Sequence, residues 1–386
     1  MAFVFNTISE TEILNSPGGR MMMDAINYSG EKHLIVTGCP GSGKTTVTLM
    51  RAAKLSREKK NVLVLTYQNL LKISLVNIAT PDMKWRITGF YEWYVKNTSS
   101  YLEHSDTCEK MIEKLKNVGE FDEILIDEGQ DFEKRILKTI GNKTKRINVG
   151  ADNAQKLHSK GTNAQDIISI VEDFGGVQRV NLQYNYRNNF ETYNFARFFL
   201  PLNERANNLV TLDRMPKGRG IKPTVFMAKN EQERHKILKT RLNDAGDVNI
   251  AILVYSIEEV EYYYKLIPTL GDFKCSKYYN EMPKAEKRNV ELYMENIIVT
   301  TYKSAKGLEF QVVIMPNMET AMDEIYKTPE HYYVGCTRAK EQLFLIANIH
   351  KPKYLNNFDS STYEFVEDAG LDNSNFFNDE DDDLPF

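Results

Sequence analysis

A chain of 386 residues, 42% hydrophobic and 26% charged, reads as a soluble globular protein long enough for two domains with sizeable cores. No run approaches the roughly 18 apolar residues that span a bilayer, and Glu10 and Glu12 stand where a secretion signal would carry its apolar stretch. The net charge of −4 hides an asymmetry: residues 356–386 hold ten acidic and no basic residues, which leaves residues 1–355 with six surplus positive charges and points to a polyanionic partner.

The first predicted element is the apolar strand His33–Gly38. It runs into Gly41, Ser42, Gly43, Lys44, Thr45 and Thr46, the pattern G-x-x-x-x-G-K-[ST] between a strand and a predicted helix at 44–58. Glycines let successive backbone N–H groups face a polyphosphate, and the helix adds the positive end of its dipole. Lys44 can reach the β- and γ-phosphates and the Thr45 hydroxyl can hold Mg²⁺. The expected ligand is a nucleoside triphosphate.

Further apolar, β-branched runs follow at Asn61–Tyr67, Trp85–Phe90, Glu123–Asp127, Arg146–Gly150 and Arg179–Gln183, alternating with helical patterns. A second series occupies Thr224–Ala228, Asn249–Tyr255, Asn296–Thr301, Gln311–Met315 and Gln342–Ala347. Such alternation predicts an α/β protein with parallel sheets covered by helices on both faces. The Asn, Gly and Pro residues of Asn203–Pro223 predict a loop, and the division falls near residue 190, separating 1–190 from 191–355. Beyond residue 355 the apolar periodicity stops, so 356–386 is expected to be a disordered acidic tail. The cysteines Cys39, Cys108, Cys275 and Cys336 show no paired spacing. Neither a disulfide framework nor a metal knuckle is expected, and a reducing cytoplasm is the natural location.

The stretch Ile124-Leu125-Ile126-Asp127-Glu128-Gly129-Gln130-Asp131-Phe132 is a buried strand that delivers carboxylates to its end. Beside a phosphate loop, Asp127 would hold the Mg²⁺ and Glu128 would orient and deprotonate the attacking water. Downstream come Val149-Gly150-Ala151-Asp152-Asn153-Ala154-Gln155, then Gln183-Tyr184-Asn185-Tyr186-Arg187. Thr300-Thr301-Tyr302-Lys303-Ser304-Ala305-Lys306-Gly307-Leu308-Glu309-Phe310 and Thr337-Arg338-Ala339-Lys340 complete the series. Singly each is a polar turn; their order and number carry the signal.

The set resembles the superfamily 1 helicases of the UvrD/Rep branch, from about residue 20 to 347. The resemblance implies two tandem RecA-like P-loop NTPase domains with ATP in the cleft between them. Lys44, Thr45, Asp127 and Glu128 would take the roles given above. Gln130 and Gln155 would sense the γ-phosphate and Tyr186 would stack on adenine. Arg187 and Arg338 would contact the γ-phosphate, Arg338 as an arginine finger, and Gly307 and Glu309 would line the cleft. Nucleic acid would cross the top of both domains, meeting Thr66, Tyr67, Asn69, Phe90, Trp93, His158, Thr301 and Lys303. Phe90 and Trp93, three apart, equally fit a buried helical face. The implied activity is an ATP-dependent 3′ to 5′ single-stranded DNA translocase or DNA helicase, monomeric and acting in replication or repair. An RNA motor and an ATP-gated nucleic-acid clamp are the alternatives.

The chain also departs from that pattern. The neighbourhood where the family carries an adenine-reading glutamine is Gly18-Gly19-Arg20-Met21-Met22-Met23, so base preference is open. Lys303 stands in place of a histidine, and Ala151 is inserted in the third motif. Only 29 residues separate Trp93 from Glu123 and 112 separate Arg187 from Thr300, so accessory subdomains are expected to be minimal or absent. The stretch ending in Asp381, Asp382, Asp383, Leu384, Pro385 and Phe386 resembles the tip of bacterial single-strand-binding proteins. It would dock on replication or repair proteins that read that tip, or fold back on the chain's own groove.

Overall fold

The computed structural model describes residues 1–5, 8–152, 160–218, 220–318, 329–348 and 351–367. Two sheets, each parallel throughout, form two lobes. The first contains β1 (His33–Gly38), β2 (Val62–Thr66), β3 (Ile87–Gly89), β4 (Phe121–Ile126), β5 (Thr144–Ala151) and β6 (Val177–Leu182), in the order β3-β2-β4-β5-β1-β6. The second contains β7 (Thr224–Ala228), β8 (Ile250–Val254), β9 (Cys275–Tyr278), β10 (Ile297–Thr301), β11 (Phe310–Met315), β12 (Ala339–Asn348) and β13 (Glu364–Val366), in the order β13-β7-β12-β11-β8-β10-β9. Runs such as Ile-Ala-Ile-Leu-Val in β8 are buried along their whole length, because helices cover both faces of a parallel sheet. The register pairs Ile126 with Val149 and Thr37 with Ala151. The carboxyl ends of β4, β5 and β1 therefore lie side by side, and the segments leaving them share one edge. Among the described residues no subdomain is inserted; the helices Phe90–Thr98 and Cys108–Lys114 between β3 and β4 pack Phe90, Trp93 and Met111 into the first lobe.

Four features differ from the sequence expectation. Strand β9 was unpredicted because only Tyr278 of Cys-Ser-Lys-Tyr is buried, as suits an edge strand with little apolar alternation. Strand β13 lies inside the stretch expected to be a disordered tail. Acidic composition masked two aromatic anchors there: Phe358 meets Phe199 with ring centroids 4.9 Å apart and Tyr363 meets Phe195 at 5.8 Å, and Tyr354, just before the stretch, meets Phe199 at 5.3 Å. They hold 353–366 against the second lobe, where Phe365 pairs with Val225. Part of the expected loop 203–223 is the helix Leu202–Leu212, anchored by buried Leu212 and, just beyond it, Met215. Finally, the first five residues, grouped by sequence with the first lobe, sit on the second. Phe3 donates its N–H to Met294 O at 2.8 Å and meets Phe310 edge-on at 5.7 Å, and the Asn249 side chain bonds both backbone groups of Val4.

The phosphate-loop helix Lys44–Arg57 is tied down by a buried ion pair. Arg51 grips Glu123 of β4 with Nε and Nη2 at 2.5 and 2.9 Å. Its Nη1 donates to the carbonyls of Ala25, Ile26 and Tyr28, capping the helix Gly19–Asn27. Among the described residues, Arg51→Met would leave Glu123 buried with only Arg146, at 3.4 Å, as a cationic partner, and would remove a donor from the carbonyls of Ala25, Ile26 and Tyr28. Breaking a buried pair from one side costs about 3–5 kcal/mol, so the urea midpoint should fall accordingly; a loss under about 1 kcal/mol would contradict this account.

Candidate nucleotide site and nucleic-acid face

The loop after β1 turns through Gly41 and Gly43, whose φ values of +71° and +92° are left-handed. A Cβ at Gly41 would stand 2.6 Å from Arg187 Cβ, so there backbone conformation and neighbour both demand glycine, whereas at Gly43 the contact is only the movable Met22 Cε and the left-handed backbone decides. Lys44 is nearly enclosed. Its Nζ donates to the carbonyls of Gly38 and Cys39 at 2.8 Å each and lies 3.7 Å from the Asp152 carboxylate. The ammonium thus curls over the loop, where a phosphate would replace carbonyl oxygens as its acceptor.

Thr45 Oγ1 donates to Asp127 Oδ2 at 2.8 Å. Asp127 is fully buried, and among the described residues its Oδ1 has no hydrogen-bond partner; neither does the buried Ser42 Oγ. Burial first, and the adjacent Glu128 second, push the Asp127 carboxyl up to about 7. A buried carboxylate with a spare oxygen beside a threonine hydroxyl is a hard-oxygen donor set that fits Mg²⁺. Glu128 sits at φ 56°, ψ 50°, a left-handed conformation costly for a side-chain-bearing residue. Its Oε2 accepts from the Gln130 amide and lies 3.6 Å from Lys306 Nζ. Burial would raise its pKa, but Lys306, Lys44 and Arg338 outweigh that and lower it to about 2. This carboxylate stays ionised.

The second lobe closes the cleft. Arg187 Nε donates to Glu309 Oε2 at 3.1 Å and its Nη1 to Thr337 O at 3.4 Å, while Lys340 holds Glu309 Oε1 at 3.3 Å. Arg338 is fully buried and donates to Val334 O, Leu308 O and Thr337 Oγ1; burial and then Arg187 depress its pKa, while Glu128 opposes them. Tyr186 donates its hydroxyl to Pro17 O, and its ring lies nearly parallel to that of Tyr184, 6.3 Å away. A cavity of about 330 Å³ is lined by Gly41 to Thr46, Glu128, Tyr186, Arg187, Gly307 and Glu309, together with Phe3, Val4 and Phe5. Gln130 accepts the Asp152 N–H at 3.0 Å through its side-chain oxygen. Gln155 and His158 lie outside the described residues.

Sequence reasoning missed Lys306, Asp152, Lys340 and the amino-terminal residues that line this cavity. Lys306 and Lys340 stood inside the quoted motifs and could have been weighed with their neighbours; Phe3 to Phe5 carried no local signal.

The expected nucleic-acid residues divide. Tyr67 is half-buried, its hydroxyl 3.0 Å from that of Tyr91 and its ring 5.4 Å from the Tyr91 ring. Asn69, at the start of the helix Asn69–Ile78, is partly exposed, as is Lys303. Phe90 and Trp93 are core residues, 0% and 5% exposed, and cannot stack on bases. Their helix turns positions 90, 93 and 94 inward and presents Tyr91, 39% exposed, to solvent. Thr66 is buried outright. Thr301 is nearly so, with its hydroxyl committed to Ser304: it donates to Oγ at 3.0 Å and accepts from N–H at 3.1 Å.

Residues 34–347 match the family model described as the viral superfamily 1 RNA helicase core domain. The chain belongs to the superfamily 1 helicases. It is also similar to the ATP-dependent DNA helicase Rep of Buchnera aphidicola, 22% identical over 281 residues that cover 68% of this chain and 42% of that protein. The helicase chain thus spans less than half the length of that curated relative. A variant of yeast Dbp5 bound to RNA and ADP–BeF₃ superposes with a TM-score of 0.53 at 12% identity, covering 90% of this chain and 88% of that one. This likeness supports the reading of both lobes as RecA-like. The C-terminal domain of a possible DNA helicase from Lactobacillus plantarum aligns over 47% of this chain and 99% of its own at 22% identity, with a TM-score of 0.36. Among the described residues, no helix is long and apolar enough to cross a membrane.

Proposed function

We propose that this helicase core is a DNA-stimulated ATPase of the UvrD/Rep type that translocates 3′ to 5′ on single-stranded DNA, acts as a monomer in the cytoplasm, and opens duplexes less readily than it translocates. The observation that carries the reading is the cleft itself. Lys44, Thr45, Asp127 and Glu128 from one lobe converge there with Glu309 and Arg338 from the other, Arg187 bridging to Glu309 and Thr337. Membership of the helicase family implies nucleic-acid-dependent ATP hydrolysis.

In this reading Lys44 and the loop N–H groups hold the triphosphate, Tyr186 packs on the base, and Glu128 takes the proton of the attacking water. Thr45 and Asp127 would hold Mg²⁺, which would neutralise charge developing on the phosphates. Arg187 and Arg338 would neutralise the remainder when the lobes close, and Gln130 would report loss of the γ-phosphate. Tyr67, Tyr91 and Lys303 form the strand-facing surface. The description of the matching family as RNA helicases supports a second reading, the same motor on RNA. The acidic stretch Asp381 to Phe386, outside the described residues, is proposed to recruit replication or repair proteins that read the tip of single-strand-binding protein.

The test is steady-state ATP hydrolysis with and without single-stranded DNA or RNA. Stimulation of at least about tenfold by DNA, as for a gated motor, is the expected result. Stimulation by RNA alone would move the track, and ATP binding without stimulated turnover would leave only a clamp. Tailed duplexes of either polarity would check the direction.

A further inference from the structure

One buried cation in the cleft has no part in the scheme above. Lys306 follows β10 in the second lobe and is completely enclosed. Its Nζ crosses to the first lobe, donating to Asp131 Oδ1 at 2.7 Å and lying 3.6 Å from Glu128 Oε2. Asp131 is itself pinned. Its backbone N–H donates to Glu128 O at 3.0 Å, and its Oδ2 faces the Gln68 amide at 3.5 Å. Gln68 in turn accepts from Asn280 of the second lobe at 3.3 Å.

An enclosed ammonium is costly to bury unless it is matched by opposite charge. Asp131 alone would satisfy one charge. The second carboxylate, Glu128, is held through Oε2 by both Lys306 and the Gln130 amide. That leaves Oε1 for the cavity that Glu128 lines. The Glu128 side chain is oriented by its contacts with Gln130 and Lys306. One of those contacts comes from the opposite lobe.

We propose that Lys306 is a positioning residue for the water-activating carboxylate of Glu128, with Asp131 as its fixed anchor. The lobes must be closed for Lys306 to reach Oε2, so Glu128 is aimed only when the second lobe is in place. Lobe closure and base alignment are then one event. The inference rests on the hydrolase reading given above.

The test is steady-state ATP hydrolysis by the full chain with saturating stimulating strand. Lys306→Met should lower kcat by about 10- to 100-fold, the scale expected of a misplaced reacting group. KM for ATP should stay within about threefold, because triphosphate contacts are untouched. Lys306→Arg, which keeps the charge and reach, should hold kcat within about tenfold of wild type. Combined with Glu128→Gln, Lys306→Met should cost nothing further, since both changes remove one function. If Lys306→Met alone does not fold, Lys306→Met with Asp131→Asn removes both charges of the anchor pair and should show the same kcat loss.

A kcat within about twofold of wild type would overturn the inference. So would a raised KM at unchanged kcat, or a full additional loss on top of Glu128→Gln. A wild-type chain without turnover would bring down the hydrolase reading and this one with it. A wild type that turns over beside an unaffected Lys306→Met overturns the positioning role alone.

Discussion

Glu128→Gln is expected to lower nucleic-acid-stimulated ATP turnover by about 10²–10⁴-fold, the usual contribution of a positioned general base. Glutamine preserves the shape of the side chain and can still face Gln130 and Lys306, but it cannot take a proton. The carboxylate is well suited to that task only because it is ionised. Lys306, Lys44 and Arg338 surround it and outweigh the cost of its burial. Nucleotide affinity should remain within about threefold of wild type, since in the proposed reading Lys44, Thr45 and the loop amides would hold the triphosphate. Removing one negative charge from a site that receives phosphates acts in the same direction as retention. Single-turnover hydrolysis together with nucleotide binding separates the two effects. A loss in affinity equal to the loss in rate would show that Glu128 holds ligand or fold instead of activating water. Lys44→Ala is the companion control, removing the cation from the phosphate loop.

Arg338→Lys is expected to cost about 10³-fold in kcat, at the lower end of what an arginine finger supplies. The guanidinium uses all three nitrogens: Nε toward Val334 O, Nη1 toward Leu308 O and Nη2 toward Thr337 Oγ1. Lysine keeps one charge but has neither the planar fork nor the reach to several acceptors at once. The affected quantity should be kcat, because Arg338 belongs to the second lobe and acts only when the cleft is closed. Thermal unfolding distinguishes this from a packing defect. A melting temperature within a few degrees of wild type, beside the kinetic loss, supports the finger role. A loss under about tenfold would remove Arg338 from the transition state and leave it as a strut between Val334 and Leu308.

The glycine turn after β1 and the strand end that carries two carboxylates were legible from their own neighbourhoods. Gly41 and Gly43 must adopt left-handed backbone, and Lys44 and Thr45 open a helix immediately after them. Asp127 and Glu128 sit where an apolar strand ends. The parallel order of the sheets was legible for a related reason: strands buried on both faces read as unbroken apolar runs. Edge strands carry a weaker signal: β3 and β6 were still read, while β9 and β13 passed unnoticed.

Burial of a particular side chain was not legible. Phe90, Tyr91 and Trp93 are adjacent aromatics with similar local preferences, yet two enter the core and one faces solvent. The core that this helix meets decides the matter, and it includes Phe132, whose ring lies 6.1 Å from Phe90 and which arrives from a distant stretch of chain. The composition of 353–366 suggested solvation, while Phe195 and Phe199 supplied an apolar seat far upstream.

By itself, then, the sequence determined which residue types stand together: a glycine turn followed by Lys44 and Thr45, carboxylates at a strand end, and arginines in the series of the superfamily 1 helicases. These follow from residue types at short spacing, where local backbone geometry leaves few choices. Only the tertiary structure decided which aromatics face solvent, where the first five residues lie, and that Lys306 reaches across 175 positions to Asp131. Contacts of that kind depend on how two sheets pack against each other, and no spacing along the chain encodes the distance between them.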